Sequence, residues 1–151
     1  MAKWAYQFTL HDHWDYDGVK EAVLLDMPIN GTMRHTLVHF DRNTYAYTIE
    51  RNTGDVLLAD NFAFQNWSTG FDMKTGRPIL DPAREPKPDI KIERVRPPDI
   101  GQKDWEPPAF NPNTGLLYIQ ALGGTAAATL PSDQSPEAAN RDQGAQTGQH
   151  Q

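Results

Sequence analysis

An all-β fold is predicted by three features of the sequence. Aromatic residues alternate with small or polar ones near the start, short apolar or β-branched runs are punctuated by Gly, Asn, Asp and Pro, and a polar-x-x-Thr-Gly signature occurs three times. No segment sustains a helical period over three turns, and Val19 to Leu25 is the one locally ambiguous stretch.

Trp4, Tyr6 and Phe8 alternate with Ala5, Gln7 and Thr9, the period of two that gives a strand one buried face. In His11-Asp12-His13-Trp14-Asp15-Tyr16-Asp17-Gly18, Trp14 and Tyr16 alternate with the acids, so an extended segment would bury the rings and present carboxylates on the other side. Further strands are expected at Ala22 to Leu25, Thr36 to Phe40, Tyr45 to Ile49, Val56 to Ala59 and Leu116 to Ile119. Glu50-Arg51-Asn52-Thr53-Gly54, Asp72-Met73-Lys74-Thr75-Gly76 and Asn111-Pro112-Asn113-Thr114-Gly115 each read as a turn. The leading side chain can accept from backbone N–H groups two or three residues on, and Gly supplies the positive φ that closes a hairpin. Repetition of such sheet units around an axis is how propellers limit exposed edges.

Pro78 to Pro108 holds eight of the twelve prolines and is expected to be a long irregular surface loop, since proline cannot donate to a ladder. Residues 121–151 read as a disordered polar tail. No aromatic residue occurs beyond Leu122, and the Ala, Gln, Ser, Asp and Gly that dominate there bury too little apolar surface to offset ordering entropy.

The 151 residues suffice for one domain with a core and are too few for two ordinary ones. Fourteen basic against twenty acidic residues, a formal charge of -6, argue against nucleic acid as a partner. No apolar run is long enough to cross a bilayer, and no leader-like segment opens the sequence, so as written the chain is expected in the cytoplasm. Zero cysteines exclude disulfides and zinc–thiolate sites.

The densest chemistry lies in residues 11–18, with two imidazoles and three carboxylates. In an extended segment Asp15 and Asp17 project from one face with Cα atoms about 6.5–7 Å apart. Two carboxylates so placed can share a hard, oxygen-seeking cation; the same residues could instead decorate a solvated turn before Gly18. His11-x-His13-x-Asp15 also reproduces the opening of the His-x-His-x-Asp-His string of metallo-β-lactamase-like zinc hydrolases, with Tyr16 where the next His belongs. His35 and His39 share a face, have no acidic partner in Thr36-Leu37-Val38 between them, and are given no role. Arg42 follows Asp41 in a turn, either as a surface charge paired with it or as a planar fork for a carbonyl or carboxylate. Lys103-Asp104-Trp105 is either a loop with one aromatic anchor or part of a pocket wall.

Five blocks in order carry a resemblance: His11 to Val19, His39 to Asn43, Asn66 to Pro78, Gly101 to Trp105 and Asn111 to Tyr118. From about Trp4 to Ile119 the sequence resembles the pyrroloquinoline quinone (PQQ)-dependent methanol and ethanol dehydrogenases. The resemblance implies that residues 1–120 are part of an eight-bladed β-propeller, about two blades, with the Thr-Gly turns in blade-docking motifs and PQQ and a metal ion near the axis. It implies oxidation of a small primary alcohol to the aldehyde, with hydride passing to PQQ. Asp15 stands at the position of the catalytic base, Asp15 and Asp17 at the metal, Arg42 at the quinone, and Asp104 near PQQ. Calcium-dependent members carry a small residue where this chain has Asp17, whereas lanthanide-dependent ones carry a second Asp, so the chain resembles the lanthanide kind. The periplasm and a cytochrome c electron acceptor belong to the full-length family.

Departures from the family pattern are equally specific. The upstream Glu and Asn metal ligands, the Trp beneath PQQ and the adjacent-cysteine disulfide are absent, Val95-Arg96-Pro97 replaces a Cys-Pro segment, and Thr44 replaces a common Gly. The chain therefore reads as a fragment of the propeller that is not active alone. Two other classes remain as expectations to be separated, the zinc-dependent hydrolase and a non-catalytic propeller-like binding module.

Overall fold

Four strands in a meander, β1 (Ala22–Ile29), β2 (Thr32–Phe40), β3 (Tyr45–Glu50) and β4 (Val56–Asn61), form the main antiparallel sheet in the order β1-β2-β3-β4. The computed structural model describes residues 1–124 and 126–128, the last three by their backbone alone, and every regular element among them is a strand. The Asn30-Gly31 turn joins β1 to β2 with φ of 50° and 78°, the two-residue geometry that matches strand twist and fixes Ile29 opposite Thr32. β1 alternates exposed and half-buried residues, as a strand with one solvated face should, whereas in β3 every residue except Ala46 is buried.

The three Thr-Gly turns join β3 to β4, β5 (Ser68–Asp72) to β6 (Arg77–Leu80), and β8 (Ala109–Asn111) to β9 (Leu116–Tyr118). Asp72 and Asn111 act as expected: their side chains accept from the N–H of Lys74 and Asn113, both at 2.9 Å. Glu50 differs. Its main-chain oxygen accepts from Gly54 at 2.8 Å, while its buried side chain faces Arg34 at 3.7 Å. Gly54 is required for space as well as for its φ of 86°, because a Cβ there would lie 2.8 Å from the Trp4 ring.

Trp14, Tyr16, Tyr45, Tyr47, Ile49, Trp67 and Val95 form the core, with Trp4, Tyr6, Phe8 and Phe71 packed against it. Trp67 meets Trp14 and Tyr16 at ring separations of 5.4 and 5.5 Å, in tilted and edge-on geometries that add to burial.

Two local expectations change. Trp4 to Phe8 alternates half-buried and exposed side chains as anticipated but is not a strand; side chains hold it in place, with Trp4 Nε1 donating to Arg51 O at 2.9 Å and the Tyr6 hydroxyl to Gly76 O. The proline-rich stretch is more regular than expected. It contains most of β6 and also β7 (Ile92–Val95), which pairs with β10 (Ala126–Ala128), a long-range pairing that no local pattern announces. Pro78 sits in a two-stranded sheet, where an N–H is dispensable at the edge. The expectation of a disordered tail falls mostly on residues outside the described ones.

Candidate functional site

Asp12 organises the acidic loop. Its Oδ1 accepts from Trp14 N at 3.1 Å and its Oδ2 from Asp17 N at 2.8 Å. Below the loop, Trp14 Nε1 donates to Arg84 O at 3.1 Å and the Tyr16 hydroxyl to Pro97 O at 2.8 Å, so both rings stay in the core. Asp15 and Asp17 are exposed on the opposite side, as the alternation implied. The backbone is not extended as assumed: Asp15 has φ of 64°, a left-handed conformation that Asp tolerates better than most residues, so the loop turns at the acid pair.

The Asp15 and Asp17 carboxyl groups lie near enough to interact with one another. Partial burial raises the Asp15 pKa; the Arg42 guanidinium opposes this, and the Asp17 and Asp99 charges reinforce it.

Arg42 reaches this loop from the turn after β2. Nη1 donates to Asp15 O at 3.2 Å and lies 3.9 Å from its carboxylate, while Nη2 is 2.8 Å from Asp104 Oδ1. Burial works against the Arg42 charge, but Asp104, Asp15 and Asp17 outweigh it and hold its pKa above the ordinary value. The partner anticipated from sequence, Asp41, is instead buried behind the turn with His39 Nε2 at 3.3 Å and Lys20 Nζ at 3.6 Å. His39 also stacks on Phe8, and His35 bonds Asp26 at 2.9 Å, so both histidines do have acidic partners, supplied from outside the three residues between them.

The turn that carries Arg42 is rigidly held. Asn43, fully buried, donates through Nδ2 to Phe8 O, Thr9 Oγ1 and the Tyr47 hydroxyl, and its own carbonyl accepts from Trp67 Nε1 at 2.8 Å. From the other side, Gly101 packs against the Arg42 side chain, Gln102 N donates to Arg42 O at 3.2 Å, and the loop then delivers Asp104. Lys103 is buried, its ammonium donating to the main-chain oxygens of Asp104 and Glu106.

The structure thus brings Asp15, Asp17, Arg42 and Asp104 together. His11 and His13 do not join them: among the described residues no group of three or more His, Cys, Asp or Glu is placed to hold a metal ion, which leaves the zinc-hydrolase string without its ligand cage. A cavity of about 280 Å³ adjoins the loop, walled by Phe8, Thr9, Asp12, Tyr16, Asp17 and Asp41 among others. Asp15, Arg42 and Asp104 are not in its wall. Sequence reasoning missed Asp12, Lys20 and Gly101. Lys20 had no local signal, since only the tertiary fold buries its side chain to 1% exposure, and that burial lowers its pKa despite the neighbouring Asp41.

Residues 1–59 match the family described as PQQ: Glucose/ethanol/alcohol dehydrogenase, beta-propeller domain. The chain is 41% identical over 118 residues to the lanthanide-dependent methanol dehydrogenase of Methylacidiphilum fumariolicum (strain SolV), a match covering 78% of this chain and 19% of that protein. It is 42% identical over 119 residues to the quinohemoprotein alcohol dehydrogenase ADH-IIG of Pseudomonas putida, covering 78% of this chain and 17% of that one. Among solved structures, a europium-containing methanol dehydrogenase superposes with a TM-score of 0.73 at 39% identity, over 76% of this chain and 20% of that chain. The chain therefore spans about a fifth of the length of these relatives, and its strands are part of a propeller.

Proposed function

We propose, for a chain that belongs to the β-propeller family of PQQ-dependent alcohol dehydrogenases, that it carries the base-and-metal segment of an enzyme oxidising a small primary alcohol to its aldehyde. The observation that supports this reading is the convergence of the exposed Asp15 and Asp17 with the half-buried Arg42 and Asp104, from three separate parts of the chain. This segment supplies only some of the groups such a site needs, so catalysis requires the rest of a propeller.

The donor set fits a hard cation. Asp15 and Asp17 offer only carboxylate oxygens, side by side, with the Asp15 side chain 73% exposed and open to further ligands. The doubled negative charge favours a trivalent lanthanide over calcium. The planar Arg42 guanidinium, held by Asp104, suits a quinone oxygen. When bound, PQQ supplies the hydride acceptor and the cation supplies Lewis acidity.

Asp15 serves as the base for the alcohol hydroxyl proton. Partial burial and the adjacent Asp17 raise its proton affinity above that of an ordinary carboxylate, and the Arg42 guanidinium opposes that rise. Asp104 keeps Arg42 in place, and Trp14 and Tyr16, locked in the core, fix the loop on which Asp15 stands. A periplasmic setting and a cytochrome c acceptor accompany this reading.

A chimera tests it: residues 1–120 of this chain replace the matching segment of a lanthanide-dependent methanol dehydrogenase, and PQQ-loaded protein is assayed with lanthanum or calcium. Lanthanum-dependent methanol oxidation is expected, reduced at least about a hundredfold by Asp15→Asn. Turnover undiminished in Asp17→Ala would refute the metal assignment, and a chimera that takes up PQQ but never turns over would refute the function.

A further inference from the structure

We infer that Asp12 is the positioning residue of the acid pair: by tying together the amides of Trp14 and Asp17 it sets the Asp15 and Asp17 carboxylates side by side. This deepens the metal reading above and rests on it. The loop faces a specific physical problem, because Asp15 turns the chain with a positive φ and, among the described residues, no strand pairing holds residues 11–18. Left alone, such a segment would sample many conformations, and two carboxylates would separate to lower their repulsion.

Three restraints act against that. Trp14 and Tyr16 anchor the buried side of the loop through their rings and their bonds to Arg84 O and Pro97 O. Those anchors fix two side chains, and Arg42 Nη1 holds the Asp15 carbonyl at 3.2 Å, but none of them holds the amides of Trp14 and Asp17. The Asp12 carboxylate supplies what is missing, since its two oxygens hold one amide before Asp15 and one after it, at 3.1 and 2.8 Å. Asp12 is itself half-buried, and Trp14 and Asp17 occupy both of its oxygens. It therefore acts on the ion through Asp15 and Asp17, as residues behind metal ligands do.

The test uses the 151-residue chain and Tb(III) alone, with emission sensitised by Trp14 and Tyr16, the rings flanking Asp15 in sequence. All titrations are run below the thermal transition of each variant. The unsubstituted chain should show saturable emission that Asp15→Asn/Asp17→Asn abolishes. Asp12→Ala should weaken Tb(III) binding about tenfold or more. Asp12→Asn, which keeps one acceptor oxygen in place of two, should weaken it less and speed hydrogen exchange at one of the Trp14 and Asp17 amides while sparing the other. Asp99→Asn removes a charge near Asp15 without touching these amides and serves as the charge control. Binding by Asp12→Ala as tight as that of the unsubstituted chain, or equal weakening by Asp12→Ala, Asp12→Asn and Asp99→Asn, overturns the inference alone. Absence of emission from the unsubstituted chain, or emission that survives the double Asp15/Asp17 substitution, overturns the acid-pair reading and this inference with it.

Discussion

Arg42 holds a single oxygen of Asp104 with two nitrogens, Nε at 3.2 Å and Nη2 at 2.8 Å from Oδ1, which leaves Nη1 for Asp15. The two residues are 62 positions apart, so this contact joins the loop after β7 to the turn after β2.

Because the Arg42 side chain is only 19% exposed and that of Asp104 29%, the pair should contribute measurably to stability. Asp104→Ala is expected to cost about 1 kcal/mol in urea unfolding. Arg42→Lys should cost a comparable amount, because an ammonium cannot reproduce the fork. Unchanged midpoints in both variants would show the contact to be energetically idle.

Thr44 offers the opposite effect. It is fully buried with φ of 81°, a conformation that a β-branched residue adopts under strain, and its hydroxyl has no hydrogen-bond partner among the described residues. Thr44→Gly should stabilise the chain by about 1–2 kcal/mol, the strain and polar burial relieved exceeding the added freedom of the unfolded glycine. A lowered unfolding midpoint would contradict this account.

Gly101 is constrained by space and by its φ of 77°: a Cβ at that position would lie 2.4 Å from Arg42 Cβ and 2.6 Å from Arg42 Cα. Neither contact can be relieved by swinging the end of a flexible side chain. Gly101→Ala should therefore cost about 2–3 kcal/mol and displace the Arg42 turn. The displacement is read by comparing backbone amide shifts of Arg42 and Asn43 in the two proteins; shifts left in place would mean that the loop has room the structure does not show.

Alkaline pH should unfold the protein. Burial raises the Tyr6 pKa from 10.0 to about 12, with Arg77 partly opposing, and burial likewise raises those of Tyr16 and Tyr47. Folded protein then holds protons that the unfolded chain releases, so this stability is present below pH 10.0 and is lost as pH rises through about 12. Phenolate absorbance should appear together with loss of near-ultraviolet circular dichroism. Tyrosines that ionise at pH 10 with the fold intact would show that these rings are not held as described.

Several features of the site were legible in residues 14–17. Alternation of aromatic and acid correctly implied rings inside and carboxylates outside, because which side of the chain meets the core follows from side-chain hydrophobicity alone. The left-handed turn at Asp15 was not legible, since it depends on Asp12 reaching two amides at once. Asp41 beside Arg42 looked like its natural partner and is instead drawn inward by Lys20 and His39.

The sequence by itself determined the all-β class, the hairpins closed by Thr-Gly turns, and the inward face of the acidic loop, because each depends on side-chain period or on residues within about five positions. Only the tertiary structure decided which charges meet. The pairing of Arg42 with Asp104, the burial of Lys20 and the pairing of β7 with β10 join segments 21 to 62 residues apart, or depend on such joining. Such contacts are fixed by packing of the whole aromatic core, which selects one partner among many of equal local merit.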